Sequence, residues 1–351
     1  MSIELVKDIT GGNEIPQILG IPGYEFPHHI FQNEHLAGRV GLLCMGGSLA
    51  YGTNLPGKGD VDIRGMFMEK PDEIIGLRPN PGQFEDTETD TVIYSFNKLA
   101  GLLLECNPNV IEMLGCKPEH YFLLNTVGEE LIKHQELFLS QRCISSFGGY
   151  ARTQLSKLEN ALARDRLSDE KKAEHVRNSM DSSWRSFDNQ YGACRFGDAR
   201  LYTGKTELGV PEIYIDIDFQ RFPVKDFNSL MNVLTNVYRA YNKLNHRNRK
   251  DDEHIDKHAM HLLRLYYMCI DILEQRKVIT YRAKERPQLL EVRMGAFRKS
   301  DGTYHSGFFD LHNQLVARFE YAQKHTELPI RPDFERANEF VFEMNKLILA
   351  Y

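Results

Sequence analysis

Two short groups of residues carry the chemistry that this sequence could perform. Gly46-Gly47-Ser48 follows an apolar run, and Asp60-Val61-Asp62 opens the next apolar run. Because side chains alternate along a strand, Asp60 and Asp62 are expected on the same face. Two carboxylates held so close either share a proton or bind a cation. A glycine-rich turn that can receive phosphates stands nearby, so the pattern predicts a magnesium site for nucleotide chemistry.

Short structural elements must hold these residues in place. The apolar run Val40–Met45 predicts a buried strand, and the two glycines after it permit a tight turn. Ser48 is a candidate N-cap for a short helix. Residues Asn54–Gly59 are typical of a loop, and Val61–Met68 predicts the next strand. The predicted elements form one spatial unit that brings the turn and the acids together.

This unit resembles the DNA polymerase β-like nucleotidyltransferase superfamily, whose signature is an apolar residue, Gly-Gly or Gly-Ser, then Asp-x-Asp or Asp-x-Glu. The segments Gly46–Thr53 and Asp60–Gly65 look like one branch of it, a group of predicted nucleotidyltransferases assigned to RNA repair. The resemblance is dense from Gly41 to Leu114 and thinner afterwards. Three further patterns of that branch stand here as Tyr94-Ser95-Phe96-Asn97-Lys98, Asn107-Pro108-Asn109-Val110-Ile111-Glu112 and Leu328-Pro329.

The resemblance implies a fold and a metal site. The fold is an α/β nucleotidyltransferase core, a mixed sheet with flanking helices, followed by a mainly α-helical domain. In such a core Asp60, Asp62 and a third acid hold two Mg²⁺ or Mn²⁺ ions. The third acid is expected just before or within the next strand. Asp90 is the preferred candidate because it alternates onto one face with that strand, and Glu88 and Asp86 are open alternatives.

Further residues are expected to bind the nucleotide. Gly46, Gly47 and Ser48 form the nucleotide-binding turn. Gly47 and Ser48 are expected to contact the β- and γ-phosphates through N–H and hydroxyl donors, and Gly46 to provide geometry. Arg64 follows the acidic pair directly. It could pair with a phosphate or with a nearby carboxylate, and the sequence leaves both roles open.

A second group of candidate residues lies on the predicted helix Glu253–Gln275. At about 100° per residue, Lys257, His261 and Arg264 fall within about 60° of one another, and apolar residues occupy the opposite face. The resembling branch carries a similar Lys/His/Arg helix. We expect this cationic patch to face the cleft opposite the acids and to bind the triphosphate or the acceptor backbone. The alternative is a solvated helix face.

Composition limits the class of protein. A chain of 351 residues with 42% hydrophobic and 26% charged residues is ordinary for two globular domains. Its net charge of −6 argues against a broad, non-specific grip on nucleic acid. No apolar run is long enough to span a membrane and no secretory signal is visible, so a cytoplasmic protein is expected. Six scattered cysteines without a Cys-x-x-Cys pair are typical of reduced thiols.

The hydrophobic period changes near residue 116. Short strands alternate with short helices before it, which predicts a catalytic nucleotidyltransferase domain at residues 1–125. Long helical periods follow, which predicts a mainly helical domain at residues 126–351 with a β-hairpin near 201–219. The predicted helices span residues 129–139, 145–164, 169–187, 226–244 and 253–275.

Three functions are compatible with these features. The first is a metal-dependent nucleotidyltransferase that moves a nucleoside monophosphate from an NTP, such as ATP, to an acceptor hydroxyl. Its acceptor would be an RNA end, as in RNA repair or tRNA modification. The second is a nucleotidyltransferase that modifies a small molecule or a protein on the same scaffold. The third is a non-catalytic nucleotide-binding interaction module. The intact glycine turn and acidic pair favour an enzyme.

Overall fold

The computed structural model describes residues 33–55, 62–88, 90–166, 168–191, 200–216, 252–300 and 304–351, with scattered positions between 224 and 239. The chain divides into two compact units. The first comprises Met1–Gln154 together with Ala259–Tyr351, and the second comprises Leu155–His258. The first unit is thus built from two segments that are far apart in the sequence. The domain boundary expected at residue 125 stays a prediction.

A mixed sheet of five strands forms the centre of the first unit. The strands are β1 (Val40–Met45), β2 (Ile63–Phe67), β3 (Gln83–Asp86), β4 (Thr91–Ser95) and β5 (Tyr121–Leu124). Their order is β3-β4-β2-β1-β5. Strands β2 and β4 run parallel, and the other neighbours run antiparallel. The predicted α/β core with a mixed sheet is confirmed, and so is the pairing of the first two apolar runs.

Short helices flank this sheet. They are α1 (Gly47–Tyr51), α2 (Pro71–Ile74), α3 (Phe96–Leu104), α4 (Pro108–Ile111) and α5 (Thr126–Lys133). Helix α1 begins at Gly47, and its N-cap is Gly46 without a side-chain cap. The expectation that Ser48 caps this helix is therefore wrong, because the N-cap, Gly46, lies two residues earlier. Pro108 occupies the first turn of α4, where its missing N–H costs no hydrogen bond.

Long helices dominate the rest of the described chain. They are α6 (Arg142–Arg166), α7 (Asp169–Tyr191), α8 (Asp252–Gln275), α9 (Arg286–Arg293), α10 (Ser306–His325) and α11 (Phe334–Ala350). The hairpin is formed by β6 (Arg200–Lys205) and β7 (Pro211–Asp216). A mainly helical C-terminal region is confirmed. The predicted helix at 226–244 lies largely outside the described residues. Within the described segments, no helix has the length and apolar character needed to cross a membrane.

The two faces of the sheet have different roles. One face packs a hydrophobic core that includes Leu43, Ile63, Phe67 and Ile93. On the other face Arg64 lies opposite Cys44 on β1 and next to Val92 on β4, and the side chain of Tyr51 from α1 is buried. This second face also contains the buried apolar residues Leu42 and Met66, so Arg64 projects from a largely apolar surface.

Candidate active site

The turn after β1 lies directly against the residue that precedes β2. The Gly46 N–H donates to the Asp62 carbonyl at 2.8 Å. Gly47 has φ of +54°, and a Cβ at this position would lie 1.4 Å from Oδ2 of Asp62. Only glycine fits here, because any side chain would displace the carboxylate and strain the backbone. Gly47 and Ser48 are half-buried, so the turn is accessible from solvent.

Parallel pairing of β2 and β4 brings Asp62 and Asp90 together. Ile63 stands in register with Thr91, so the residues before them are also neighbours, and the Ile63 N–H donates to the Asp90 carbonyl at 3.2 Å. The two aspartate side chains are close enough for a hydrogen bond when one of the carboxyl groups carries a proton. Burial, this hydrogen bond and the charge of Asp90 raise the pKa of Asp62 to about 7.

Arg64 belongs to the same group. Its Nη2 lies 3.1 Å from Oδ1 of Asp90, and its Nη1 donates to the Ile63 carbonyl at 2.9 Å. Burial lowers the pKa of Arg64, whereas the negative charges of Asp90 and Asp62 raise it. Together the charges outweigh burial, so the pKa of Arg64 lies above its usual value. The sequence left two roles open for Arg64, pairing with a phosphate or with a carboxylate. In the structure Arg64 pairs with the carboxylate of Asp90.

The other two candidates for the third acid occupy the turn between β3 and β4. The Asp86 carboxylate accepts the Glu88 N–H at 3.0 Å, and this contact closes the turn. The side chain of Glu88 is exposed. Asp90 ends the turn with φ of +45°, in the left-handed region that aspartate tolerates better than most residues. Asp90 is thus the candidate that lies beside Asp62.

Asp60 lies outside the described residues, as do its neighbours from Pro56 to Val61. Among the residues that the structure does describe, no group of three or more His, Cys, Asp or Glu side chains could hold a metal ion. The carboxylates of Asp62 and Asp90 nevertheless fit a cation. Two carboxylates in contact repel each other unless a proton or a cation neutralises them, and oxygen ligands suit Mg²⁺.

A further acid, to which the sequence analysis gave no role, is buried beside the turn. Glu112 is 7% exposed. Its carboxylate accepts a hydrogen bond from the Tyr51 hydroxyl, and the Gly47 N–H is near enough to lower the pKa of Glu112. Burial raises the pKa of Glu112, while Arg264 and these two groups act in the opposite direction. The Asn-Pro-x-x-x-Glu pattern could have indicated a role for Glu112. A glutamate within an apolar stretch is expected to be buried, and a buried carboxylate needs a polar partner.

The predicted cationic patch on α8 has members in different environments. Lys257 is exposed and belongs to the second unit, and His261 is half-buried in the first. Arg264 is only 8% exposed, and its guanidinium carbon lies 3.6 Å from the centroid of the Tyr51 ring. Arginine stacks readily on an aromatic face, so it can be buried although it is charged. A helical wheel places charged residues on the solvent side and therefore does not predict the burial of Arg264. Contacts of Lys257 and His261 with a nucleotide stay predictions.

Residues from late in the chain hold the end of α1. The carbonyl of Tyr51 accepts the Arg282 N–H at 3.2 Å, and the carbonyl of Gly52 accepts Nε of Arg286 at 2.7 Å. A Cβ on Gly52 would lie 2.4 Å from the ring of Tyr281. These contacts satisfy carbonyl groups that a helix leaves free at its C-terminus.

The site is thus a glycine turn that lies beside two carboxylates at the starts of neighbouring parallel strands, within the α/β core expected from the sequence. Residues 27–184 match the family model described as the RNA repair pathway DNA polymerase beta family, the same family that the sequence motifs resemble. Members of the polymerase β-like class generally use divalent metals. Comparisons with curated proteins and with solved structures found no match.

Proposed function

We propose that this protein is a metal-dependent nucleotidyltransferase that moves a nucleoside monophosphate from an NTP to the hydroxyl of an RNA end. The observation that carries the proposal is the contact between Asp62 and Asp90 directly beside the glycine turn at Gly47. A pair of carboxylates next to a phosphate-binding turn is chemically sensible only when a cation joins the two.

Each residue then has a role in the proposed reaction. Asp62 and Asp90, with Asp60, hold the divalent ions. When bound, these ions neutralise charge on the triphosphate and on the attacking oxygen. Ser48 offers its hydroxyl, which caps no helix, and an N–H at the start of α1 to the phosphates. Gly46 and Gly47 keep the turn close to the acids, and Arg64 holds Asp90 in place.

The choice of RNA as acceptor rests on the family's link to RNA repair. The net charge of −6 favours a local contact with an RNA end over a broad grip on the duplex. Lys257 and His261 are our candidates for the acceptor backbone. A small molecule, a protein side chain or tRNA would be recognised by the same chemistry at the reacting hydroxyl, and the experiment below separates them.

The test uses the full chain and each of the four α-labelled NTPs. We would incubate the protein with Mg²⁺ or Mn²⁺ and total cellular RNA, and run matched reactions with EDTA or without RNA. Label transferred to RNA only with metal supports the proposal, and the labelled RNA species identifies the acceptor. Label on the protein or on small molecules instead would move the acceptor to those classes. No transfer from any NTP to any acceptor would contradict enzymatic activity.

A thermal-shift experiment tests the binding step separately. NTP should raise the melting temperature when Mg²⁺ is present, and much less in EDTA, because the carboxylates and the triphosphate repel each other without a cation. Equal stabilisation in EDTA would contradict the proposed arrangement of acids and phosphates.

A further inference from the structure

The buried side of the glycine turn contains a connected set of side chains, Tyr51, Glu112 and Arg264. The Glu112 carboxylate accepts a hydrogen bond from the Tyr51 hydroxyl, and the Gly47 N–H is near enough to lower the pKa of Glu112. The guanidinium carbon of Arg264 lies over the Tyr51 ring, 3.6 Å from its centroid. All three side chains are more than nine-tenths buried. Buried protein groups therefore lie beside Gly47, at the position where the sequence alone predicts a phosphate contact.

We propose that Glu112, Tyr51 and Arg264 are positioning residues that fix the shape of the glycine turn for the triphosphate of the NTP. This inference rests on the proposed function. In it, Glu112 holds the Gly47 N–H, so that the next donors, at Ser48, face the phosphates. The three side chains act on the nucleotide through the turn and do not touch it.

The charges in this set depend on each other. Nε and Nη1 of Arg264 are buried and have no hydrogen-bond partner among the described residues. The positive charge of Arg264 lowers the pKa of Glu112 and therefore stabilises its ionised carboxylate. A buried charge is costly without an opposite charge nearby, because the surrounding region has a low dielectric constant. Removal of Glu112 or of Arg264 would therefore leave the other as an uncompensated buried charge.

The main chain of Glu112 is held from the opposite direction. The Thr280 hydroxyl donates to the Glu112 carbonyl at 2.6 Å, and the Thr280 N–H donates to the Gly115 carbonyl at 3.0 Å. With its main chain and its carboxylate both bound, Glu112 has little freedom to follow the turn if the turn moves. It is thus suited to hold the turn in one place.

The test compares Glu112→Gln and Tyr51→Phe with a matched control, Glu69→Gln. Glu69 is also fully buried, and its Oε1 accepts the Asn97 N–H at 2.9 Å and Asn80 Nδ2 at 3.0 Å. It follows the far end of β2, away from Asp62. Glu112 and Glu69 variants therefore remove the same buried charge, but Glu112→Gln alone removes it beside the turn.

Two measurements separate positioning from a general structural role. The first is hydrogen exchange at the Gly47 amide, followed by NMR on protein with labelled glycine. The second is the separation of KM for the NTP from kcat. Glu112→Gln and Tyr51→Phe should each speed exchange at Gly47 and raise KM about tenfold, the value of a hydrogen bond to a charged group. Glu69→Gln should do neither, since loss of folded protein lowers the apparent kcat but leaves KM unchanged.

The outcomes are distinguishable. If the parent transfers nucleotide but both variants match Glu69→Gln in Gly47 exchange and in KM, the positioning role is overturned. If the parent transfers no nucleotide from any NTP, the proposed function fails, and Gly47 exchange still decides whether Glu112 holds the turn. If Glu112→Gln does not fold, Tyr51→Phe carries the test, because it removes one hydroxyl and leaves the ring under Arg264.

Discussion

Oδ2 of Asp62 occupies the space in which a side chain of Gly47 would begin. The contact joins the end of β1 to the start of β2, and the antiparallel pairing of these strands maintains it. A mobile glycine turn would be a poor support for phosphates. Here the turn has a carboxylate on its exposed side and Glu112 on its buried side. Its position is therefore determined from both directions.

The substitution Gly47→Ala should be damaging for two reasons. The left-handed φ of +54° costs a residue with a side chain about 1–2 kcal/mol, and the new methyl group would collide with Asp62. We expect the free energy of unfolding in urea to fall by about 2 kcal/mol or more, and nucleotide transfer to be lost.

Gly101→Ala is the matched control for that variant. Gly101 lies in α3, and a Cβ there would meet no atom within 4 Å. Alanine should raise the free energy of unfolding by about 0.5–1 kcal/mol, since glycine is entropically costly inside a helix. If both variants change stability alike, the close contact between Asp62 and Gly47 is not present in solution.

Asp62→Asn should separate catalysis from stability. It removes a metal ligand, which is worth several kcal/mol at the transition state, so transfer should fall about a hundredfold or more. The unfolding free energy should stay the same or rise, because the charge of Asp62 is partly buried beside Asp90. Asp90→Asn should behave likewise, and Asp86→Asn should keep most of the activity. Unchanged transfer by Asp62→Asn would refute its role.

His312 should make stability depend on pH. Its ring is 8% exposed and meets Tyr266 edge-on, and burial lowers the pKa of His312 below its usual value. The unfolded chain therefore gains a proton first as the pH falls, so stability is complete above about pH 6.5 and is lost below it. Between pH 6.5 and 5.5 the parent should lose up to about 1 kcal/mol more than His312→Gln. Equal losses would contradict this prediction.

A fragment of residues 1–125 tests the domain boundary expected from the sequence. In the whole chain Arg264, Arg282 and Arg286 contact the end of α1. Without them the carbonyls of α1 lose their partners and Glu112 loses its counter-charge. We expect the fragment to unfold without a cooperative transition in circular dichroism.

The control for this fragment joins residues 1–154 to 259–351 through a flexible linker, which keeps the whole first unit. This chain should unfold cooperatively and bind Mg²⁺-NTP. A sharp transition in the short fragment would show instead that residues 1–125 are an autonomous domain.

Local patterns were sufficient to predict the elements of the core. The apolar runs, the glycine turn and the acids are close in sequence, so strand alternation and turn chemistry predict which of them meet. The neighbouring position of Asp90 was predictable for the same reason. Pairing of β2 with β4 in parallel register then places it beside Asp62.

Contacts across the sequence were not predictable in the same way. The helical period of α8 correctly predicts its helix, but it cannot show that Arg264 stacks on Tyr51, more than two hundred residues earlier. The sequence of the basic segment Tyr281–Arg286 also does not show that Arg282 is buried and paired with Asp271. These contacts depend on which segments pack together, and hydrophobic periodicity within one helix does not contain that information.

The segment Ala259–Tyr351 belongs to the first unit although it is made last, and this has a consequence for biosynthesis. Translation releases the glycine turn and the acids early, while Arg264, Arg282 and Arg286 are still unmade. A nascent chain therefore carries the glycine turn and the acidic residues before it carries the residues that support α1. A ribosome that stalls before this segment would release a product with intact motifs and an unsupported turn. Completion of the chain thus determines when the site first takes its working shape.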